Sequence, residues 1–437
     1  MAYIGTAYKG LQLQRTEGDA STVEGVLETA LFRAGSILES NMGSLSKLGW
    51  SRSSRTDKGV HSVATVVACK LEIDVEDFQQ DSEGLRLAQS INAHLPPEVR
   101  VLSVQRVNRS FNARNSCNSR TYHYYLPASI MGLRLDGSTE DAAVLERLQA
   151  ALSLFVGTHP FHNFTQRRLY RPGAPGQKNK WRTRHPWKPA AAGSAAEGAG
   201  ADDDDAPGGV REDEDAEEEE KEAPEDLKAP SSSEAGQPDG AAGLKAERRL
   251  RRSLTEPLDM SLRWLEERDL ADPVSRGHSR ILSIVEAASP AALLPGGPPC
   301  LQVTVEGTSF MLHQIRHMIG AAVLVARGQA PLAWLRAVLT QPARSHVPLA
   351  PPQVLVLADA DFFPFRLSAP VAKLSGAALR LREGALLARH AFCKEVLYPA
   401  LQPLLQDASW ARWDATLSRV THSAELEVHV LLSNILD

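Results

Sequence analysis

The chain is poor in the residues that build stapled or metal-held folds. Its four cysteines, Cys69, Cys117, Cys300 and Cys393, are scattered over 437 residues, without the short paired spacing of a structural zinc site or the density of a disulfide framework. That usage points to a reducing compartment. No stretch offers about 18 uninterrupted apolar residues, so a transmembrane helix is not expected. There is no Walker-type phosphate loop, dinucleotide fingerprint or Gly-x-Ser-x-Gly elbow, which removes the common nucleotide-dependent and serine-hydrolase readings. His313 and His317 stand at the i, i+4 spacing of a zinc pair. The zinc-protease signature needs Glu beside the first His, whereas this chain has Gln314, and no third ligand is evident. No metal site is expected.

Aromatics are almost missing from residues 188 to about 250, where Ala, Gly, Pro, Ser and acidic runs such as Asp202–Asp205 and Glu217–Glu220 dominate. Such a stretch cannot bury enough apolar surface to fold and reads as a disordered insertion. Residues 202–226 carry a net charge of −13 in a chain of net −5, so the remainder carries +8. A basic folded part suits a phosphate-rich partner. The acidic run has three readings: repulsion of RNA, occupation of a basic cleft, or, most simply, a solvated spacer. For the basic, aromatic-flanked stretch from Gln166 to Trp187, contact with RNA phosphates and loop filler both stay open.

What is present is concentrated in Arg52-Ser-Ser-Arg-Thr-Asp-Lys-Gly-Val-His61. One carboxylate, Asp57, stands among Arg52, Arg55 and Lys58, and nearby cations favour its ionised form, so a lowered pKa is expected. Gly59 allows a sharp turn. The β-branched run from Val63 to Leu71 predicts a core strand, with Val63, Thr65, Val67, Cys69 and Leu71 on one face. A charged surface turn explains the same decapeptide on conformational grounds alone. Elsewhere, apolar positions 23, 26, 27, 30 and 31 predict a helix capped by Thr22 or Ser21. Pro96 and Pro97 are expected to end another at Leu95. Leu312, Ile315, Ile319, Ala322, Val323 and Ala326 form a further helical stripe that Gly328 would stop. His313, Arg316, His317 and Gly320 line its adjacent face. Beyond Phe365, Leu386, Leu387, His390, Ala391, Val396 and Leu397 have helical spacing, and a packing appendage and a partner surface both stay open.

Arg55-Thr-Asp-Lys-Gly-Val-His61 resembles the Arg-Thr-Asp-x-Gly-Val signature of the TruA-type tRNA pseudouridine synthases. Further matches follow in order: Tyr3 to Gln14, the helix from Thr22, Ile91 to Val101, Phe111-Asn-Ala-Arg114, Arg120-Thr-Tyr-His-Tyr-Tyr125, Gly157-Thr-His-Pro-Phe161, and Gly307 to Gly328, with strand-like sequence resuming at Ser279 to Leu282 after the insertion. The resemblance implies an α+β fold, with two ferredoxin-like subdomains whose mixed sheets join along a basic RNA-binding cleft. The expected division is 1–108 with the catalytic loop, 109–368 interrupted at about 188–250, and a helical extension over 369–437.

It also implies an isomerase that breaks the C1′–N1 bond of a uridine in tRNA and rejoins the base through C5, with no cofactor and no metal. Asp57 would act at the ribose, by addition at C1′ or by proton abstraction toward a glycal; attack at uracil C6 is the older alternative. Arg316 would hold Asp57 through a two-bond fork. Tyr122 would stack on the extruded base, although for a strand tyrosine taken alone core packing is the simpler role. Arg55, Thr56, Lys58, His61 and Leu355, or Leu357 in place of Leu355, would line the substrate pocket. Departures from the pattern are Leu11 for Trp, Ser54 for Gly or Ala, His317 for Asn and Val354 for Gly; Lys58 suits a eukaryotic, plant or algal member, while His61 leans toward the bacterial type. The chain opens inside the first motif, leaving room for a targeting segment ahead of it and an intracellular site, nuclear or organellar. The target uridine, with the anticodon stem-loop favoured, and the choice between monomer and homodimer stay open. So do two alternatives: a non-catalytic RNA-binding or tRNA-folding protein, and a synthase acting on messenger or ribosomal RNA.

Overall fold

The computed structural model describes residues 1–14, 21–81, 83–170, 258–265, 272–363, 365–369, 371–372 and 378–421. The acidic run, the expected insertion and most of the basic stretch from Gln166 to Trp187 lie outside the described residues, as does the end of the C-terminal extension.

The protein is a mixed α+β fold organised around one large sheet. Its strands are β1 (Ala2–Tyr3), β2 (His61–Ser62), β3 (Val99–Arg100), β4 (Ser119–Pro127), β5 (Gly157–Pro160), β6 (Ser279–Ala287), β7 (Ala291–Ala292), β8 (Pro299–Gly307) and β9 (Leu355–Asp361). Among the described residues they pair in the order β3-β1-β2-β9-β4-β8-β6-β5, with β7 attached to β8. The β2–β9 contact is parallel, with Val356 beside His61 and Leu357 beside Ser62. The neighbouring β1–β2 and β9–β4 contacts are antiparallel. Segments about 300 residues apart in sequence are thus adjacent at the centre of the sheet.

The predicted strand from Val63 to Leu71 is broken in two. The Ser62 hydroxyl accepts the backbone N–H groups of Ala64 (3.1 Å) and Thr65 (3.0 Å), which turns the chain out of the ladder. Pairing resumes only at Val67–Ala68, against Ser51–Arg52. Pro96 and Pro97 do not set the end of their helix. That helix covers Leu85–Asn92 and stops three residues early because Asn92 trades two 2.8 Å hydrogen bonds with the backbone of Val101.

Helix α1 (Val23–Arg33) forms as its sequence dictates: Thr22 accepts from Gly25 N–H, and Val23, Leu27, Ala30 and Leu31 are buried. Helix α2 (Thr139–Ser153) is capped by Ser138 and packs beside α3 (Gln314–Ala326). All of α3 except Arg316 and His317 is buried. Each fully buried aliphatic side chain there contributes roughly 1.5–3 kcal/mol. Gly328 ends α3 in the left-handed region (φ +70°). Gly328 N–H donates to Val325 and Gln329 N–H to Leu324, which satisfies two carbonyls of the last turn.

In the C-terminal extension, α4 (Glu383–Phe392), α5 (Tyr398–Leu404) and α6 (Ala408–Leu417) bury Ala385, Phe392, Leu401, Trp410, Trp413 and Leu417, and the π-turn Cys393–Leu397 between the first two buries Leu397. Leu386 and Leu387 are 42% and 65% exposed, so of the expected stripe only Leu397 is buried, and Ala385 and Phe392 take the inward positions of the first helix. The buried set joins the main core around Tyr124, Tyr125 and α3. The described part of the extension is therefore a packed component of the fold.

Candidate active site

Asp57 is carried on a turn fixed from three sides. Val60 N–H donates to Asp57 O at 3.1 Å, and Gly59, third in that turn, takes φ +80°, which a β-carbon would penalise. Thr56 is buried; its hydroxyl is 2.6 Å from Tyr3 Oη, and its carbonyl accepts Leu11 N–H. Gly10 lies so close that an added Cβ would sit 3.1 Å from Thr56 O. On the far side of the turn, His61 is fully buried. Its Nδ1 accepts Gly5 N–H (3.2 Å) and its Nε2 donates to Gln353 O (2.9 Å). Thr56 and His61, expected to touch substrate, are instead enclosed and hold the turn in place. Arg55 and Lys58 are exposed.

Opposite the turn stands the start of α3. His313 Nε2 lies 3.7 Å from Asp57 Oδ2, and the Asp57 side chain retains 35% of its surface in solvent. Arg316 donates from Nε to Ala350 O at 2.6 Å and accepts Ala350 N–H on its own carbonyl. The neighbouring polar face is covered by the same extended segment: His317 Nδ1 donates to Val347 O, and a Cβ on Gly320 would meet Pro348 O at 2.1 Å. His313 and His317 thus have different partners, and among the described residues no cluster of His, Cys, Asp or Glu could hold a metal ion.

The expected lowering of the Asp57 pKa is reversed. Removal from water pushes its carboxyl above the ordinary value, and the charge of Arg316 pulls it back only in part. Of the cations adjacent in sequence, Arg52 is bound elsewhere: its Nε meets the buried Glu24 carboxylate at 2.5 Å. The cation whose charge acts on Asp57 comes from α3, from Arg316. Its interaction with Asp57 is electrostatic, and the two-bond fork is not the arrangement that Nε adopts.

Tyr122 is buried beside this pair. Its hydroxyl is 2.6 Å from Ser54 Oγ, and its ring meets Phe310 edge-on, at a centroid distance of 5.2 Å and an angle of 81°. Burial pushes its hydroxyl up to about 12, and Asp57 adds to the shift. Leu357 is directly across from Tyr122, and Leu355 across from Tyr124, so Leu357 is the nearer of the two leucines. Arg120 staples the surroundings: it donates to the carbonyls of Ser53, Arg114, Cys117 and Thr308 at 2.6–3.2 Å.

Sequence reasoning placed His313 on the face that carries Arg316 and weighed it as half of a metal pair, noted Ser54 only as a departure from the family pattern, and did not single out Phe310. The available signal was their place inside the two motifs that supply Arg316 and Asp57. Chemically, the site offers one solvent-reachable carboxylate, one cation, one uncharged imidazole and an aromatic pair. It has the parts for nucleophilic or proton-abstracting work on a planar substrate.

A family model for tRNA pseudouridine synthase matches residues 262–363, which contain Phe310, His313, Arg316 and Leu357. The chain is 26% identical to the tRNA pseudouridine(27/28) synthase of Saccharomyces cerevisiae over 366 residues, covering 82% of this chain and 81% of that protein. It is 26% identical to tRNA pseudouridine synthase 1 of Yarrowia lipolytica over 371 residues, 82% of this chain and 62% of that one. With the human pseudouridylate synthase 1 homolog it shares 34% identity over 174 residues, 38% of each chain. The match thus spans less than two thirds of the human and Yarrowia proteins.

Proposed function

We propose that this chain belongs to the TruA-type tRNA pseudouridine synthase family, a reading supported by the family model over residues 262–363 and by the 26% identity shared over 82% of the chain, and that it isomerises uridine to pseudouridine in tRNA. The observation that carries the reading is the approach of the Asp57 turn to the start of α3, where Arg316 and His313 face the carboxylate beside the edge-on pair of buried Tyr122 and half-buried Phe310. In the reaction the C1′–N1 bond breaks, the base turns, C5 bonds to C1′, the C5 proton leaves to solvent and N1 takes a proton.

Asp57 acts at the ribose as an anion, Arg316 maintains its charge, and Tyr122 with Phe310 supports the extruded uracil. Leu357, with Leu355 behind it, closes the pocket. The exposed Arg55 and Lys58 meet phosphates or fill the gap left by the base. Extrusion costs a few kcal/mol of stacking, and phosphate contacts along a basic cleft offset it. That cleft runs between an N-terminal unit over 1–108 and a second over 109–368. Two groups of buried residues, around Tyr3, Val23 and Ile91 and around Tyr124, Leu152 and Val323, support the division. The anticodon stem-loop region is the favoured target, by analogy with the (27/28) synthase.

The test is tritium release from tRNA labelled with 5-³H-uridine, by the native protein and by Asp57→Ala. Release that depends on Asp57 is expected. Binding of tRNA without release by the native protein would overturn the assignment in favour of an RNA-binding protein or a different RNA substrate.

A further inference from the structure

His313 has a backbone that its side chain does not favour. It sits at the N-cap of α3 with φ +61° and ψ +3° and makes no capping hydrogen bond. Among the described residues only Leu135 shares a positive φ without being glycine. Gly or Asn would occupy this left-handed position with less strain. Strain of this kind persists where the surroundings demand it, and here it brings Nε2 to 3.7 Å from Asp57 Oδ2. The distance is too long for a hydrogen bond. It is short enough to close when substrate fills the pocket, as catalytic contacts commonly do.

The charges around the ring decide its form. Arg316 lies on the same helix, His317 follows one turn on, Asp57 faces it across the gap, and Arg55 and Lys58 are exposed on the turn. Burial, reinforced by Arg316, pushes the His313 pKa down to about 4. At neutral pH the ring is uncharged, so it can offer an N–H to a carboxylate without adding a second cation.

We propose that His313 is a positioning residue for the isomerisation: its uncharged Nε2–H closes onto Oδ2 of Asp57 when uridine enters and fixes the carboxylate rotamer in the field of Arg316. The inference rests on the proposed pseudouridine synthase activity. A donor to the ionised carboxylate stabilises that form, so losing it raises the pH at which Asp57 becomes active.

The test compares tritium release by the native protein, His313→Gly and His313→Gln between about pH 5 and 8.5. The glycine variant, relieved of backbone strain, is expected to keep its thermal midpoint and its KM within about twofold. Its kcat falls at least about tenfold, and the acid limb of kcat/KM moves to higher pH. Gln, whose amide N–H can reach the same oxygen, recovers most of the rate and the original limb. A glycine variant with native kcat and an unmoved acid limb overturns the proposal. Should that variant fold poorly, His313→Asn tolerates the same backbone, falls short of Asp57 and carries the same expectation. Failure of the native protein to release tritium would instead strike at the parent activity.

Discussion

Gly5 presses so closely on Val60 that a β-carbon on it would lie 2.0 Å from the Val60 carbonyl oxygen. The contact seats β1 directly beneath the Asp57 turn, and Gly5 N–H also donates to His61. Gly5→Ala must push backbone against backbone, because no flexible side chain is there to yield. The expected cost is about 1–3 kcal/mol of stability, together with a drop in tritium release larger than the fall in folded fraction. Denaturant unfolding beside the activity assay checks both.

Arg316 acts on Asp57 from a fixed position. Lys would keep the charge but could not donate as Nε does to Ala350, and its flexible ammonium would not hold one geometry. Arg316→Lys and Arg316→Ala are both expected to lower kcat, by roughly 10²-fold or more for Ala. The acid limb of the pH profile should move upward in each. An active Lys variant with a native profile would show that charge alone suffices.

Asp57 is costly to the fold. Its folded-state pKa is raised, so as pH climbs past the ordinary 3.8 the unfolded chain loses this proton first. Stability is therefore lost from that point up through the folded pKa, and the full penalty applies above it. Asp57→Asn should accordingly be inactive yet more stable than the native protein at pH 7, with the gain vanishing below about pH 3.8. Paired unfolding curves at the two pH values provide the check.

The buried histidine beneath the turn acts in the opposite sense. His61 accepts one N–H at Nδ1 and donates at Nε2, an arrangement only the uncharged ring permits, and its pKa is lowered from 6.5 to about 4. Between those values the unfolded chain takes the proton first, so stability falls as pH drops from 6.5 toward 4. At 1.36 kcal/mol per unit, the full effect is on the order of 3 kcal/mol. The thermal midpoint should decline through this window, with the His61 ring titrating near 4 by NMR. A ring titrating near 6.5 would refute the assignment.

Local patterning recovered local structure. Thr22 caps its helix and Gly328 ends another, because both effects are decided within four residues. The resemblance pointed to Asp57, Arg316 and Tyr122, and these three side chains do come together. The rest depended on partners that no local window contains. Arg52 was assigned to Asp57 because it is five residues away, yet it is held by Glu24. The direction of the Asp57 pKa followed from its burial, and the cation that opposes it, Arg316, comes from a helix about 260 residues further along the chain. Ser62 broke the expected strand through a hydroxyl whose alternative use the period-two pattern does not register.

The parallel seam between β2 and β9 also bears on how the protein is made. Ser62 Oγ donates to Leu357 O across 295 residues of sequence, so a ribosome that has delivered the Asp57 turn must translate most of the chain before its neighbour exists. Until then one edge of the nascent N-terminal half stays unpaired, the kind of edge that invites aggregation and chaperone capture. A prematurely terminated product would hold the carboxylate without the frame around it. Catalytic competence is in this sense a late event of biosynthesis, because it waits for the strand that carries Leu357.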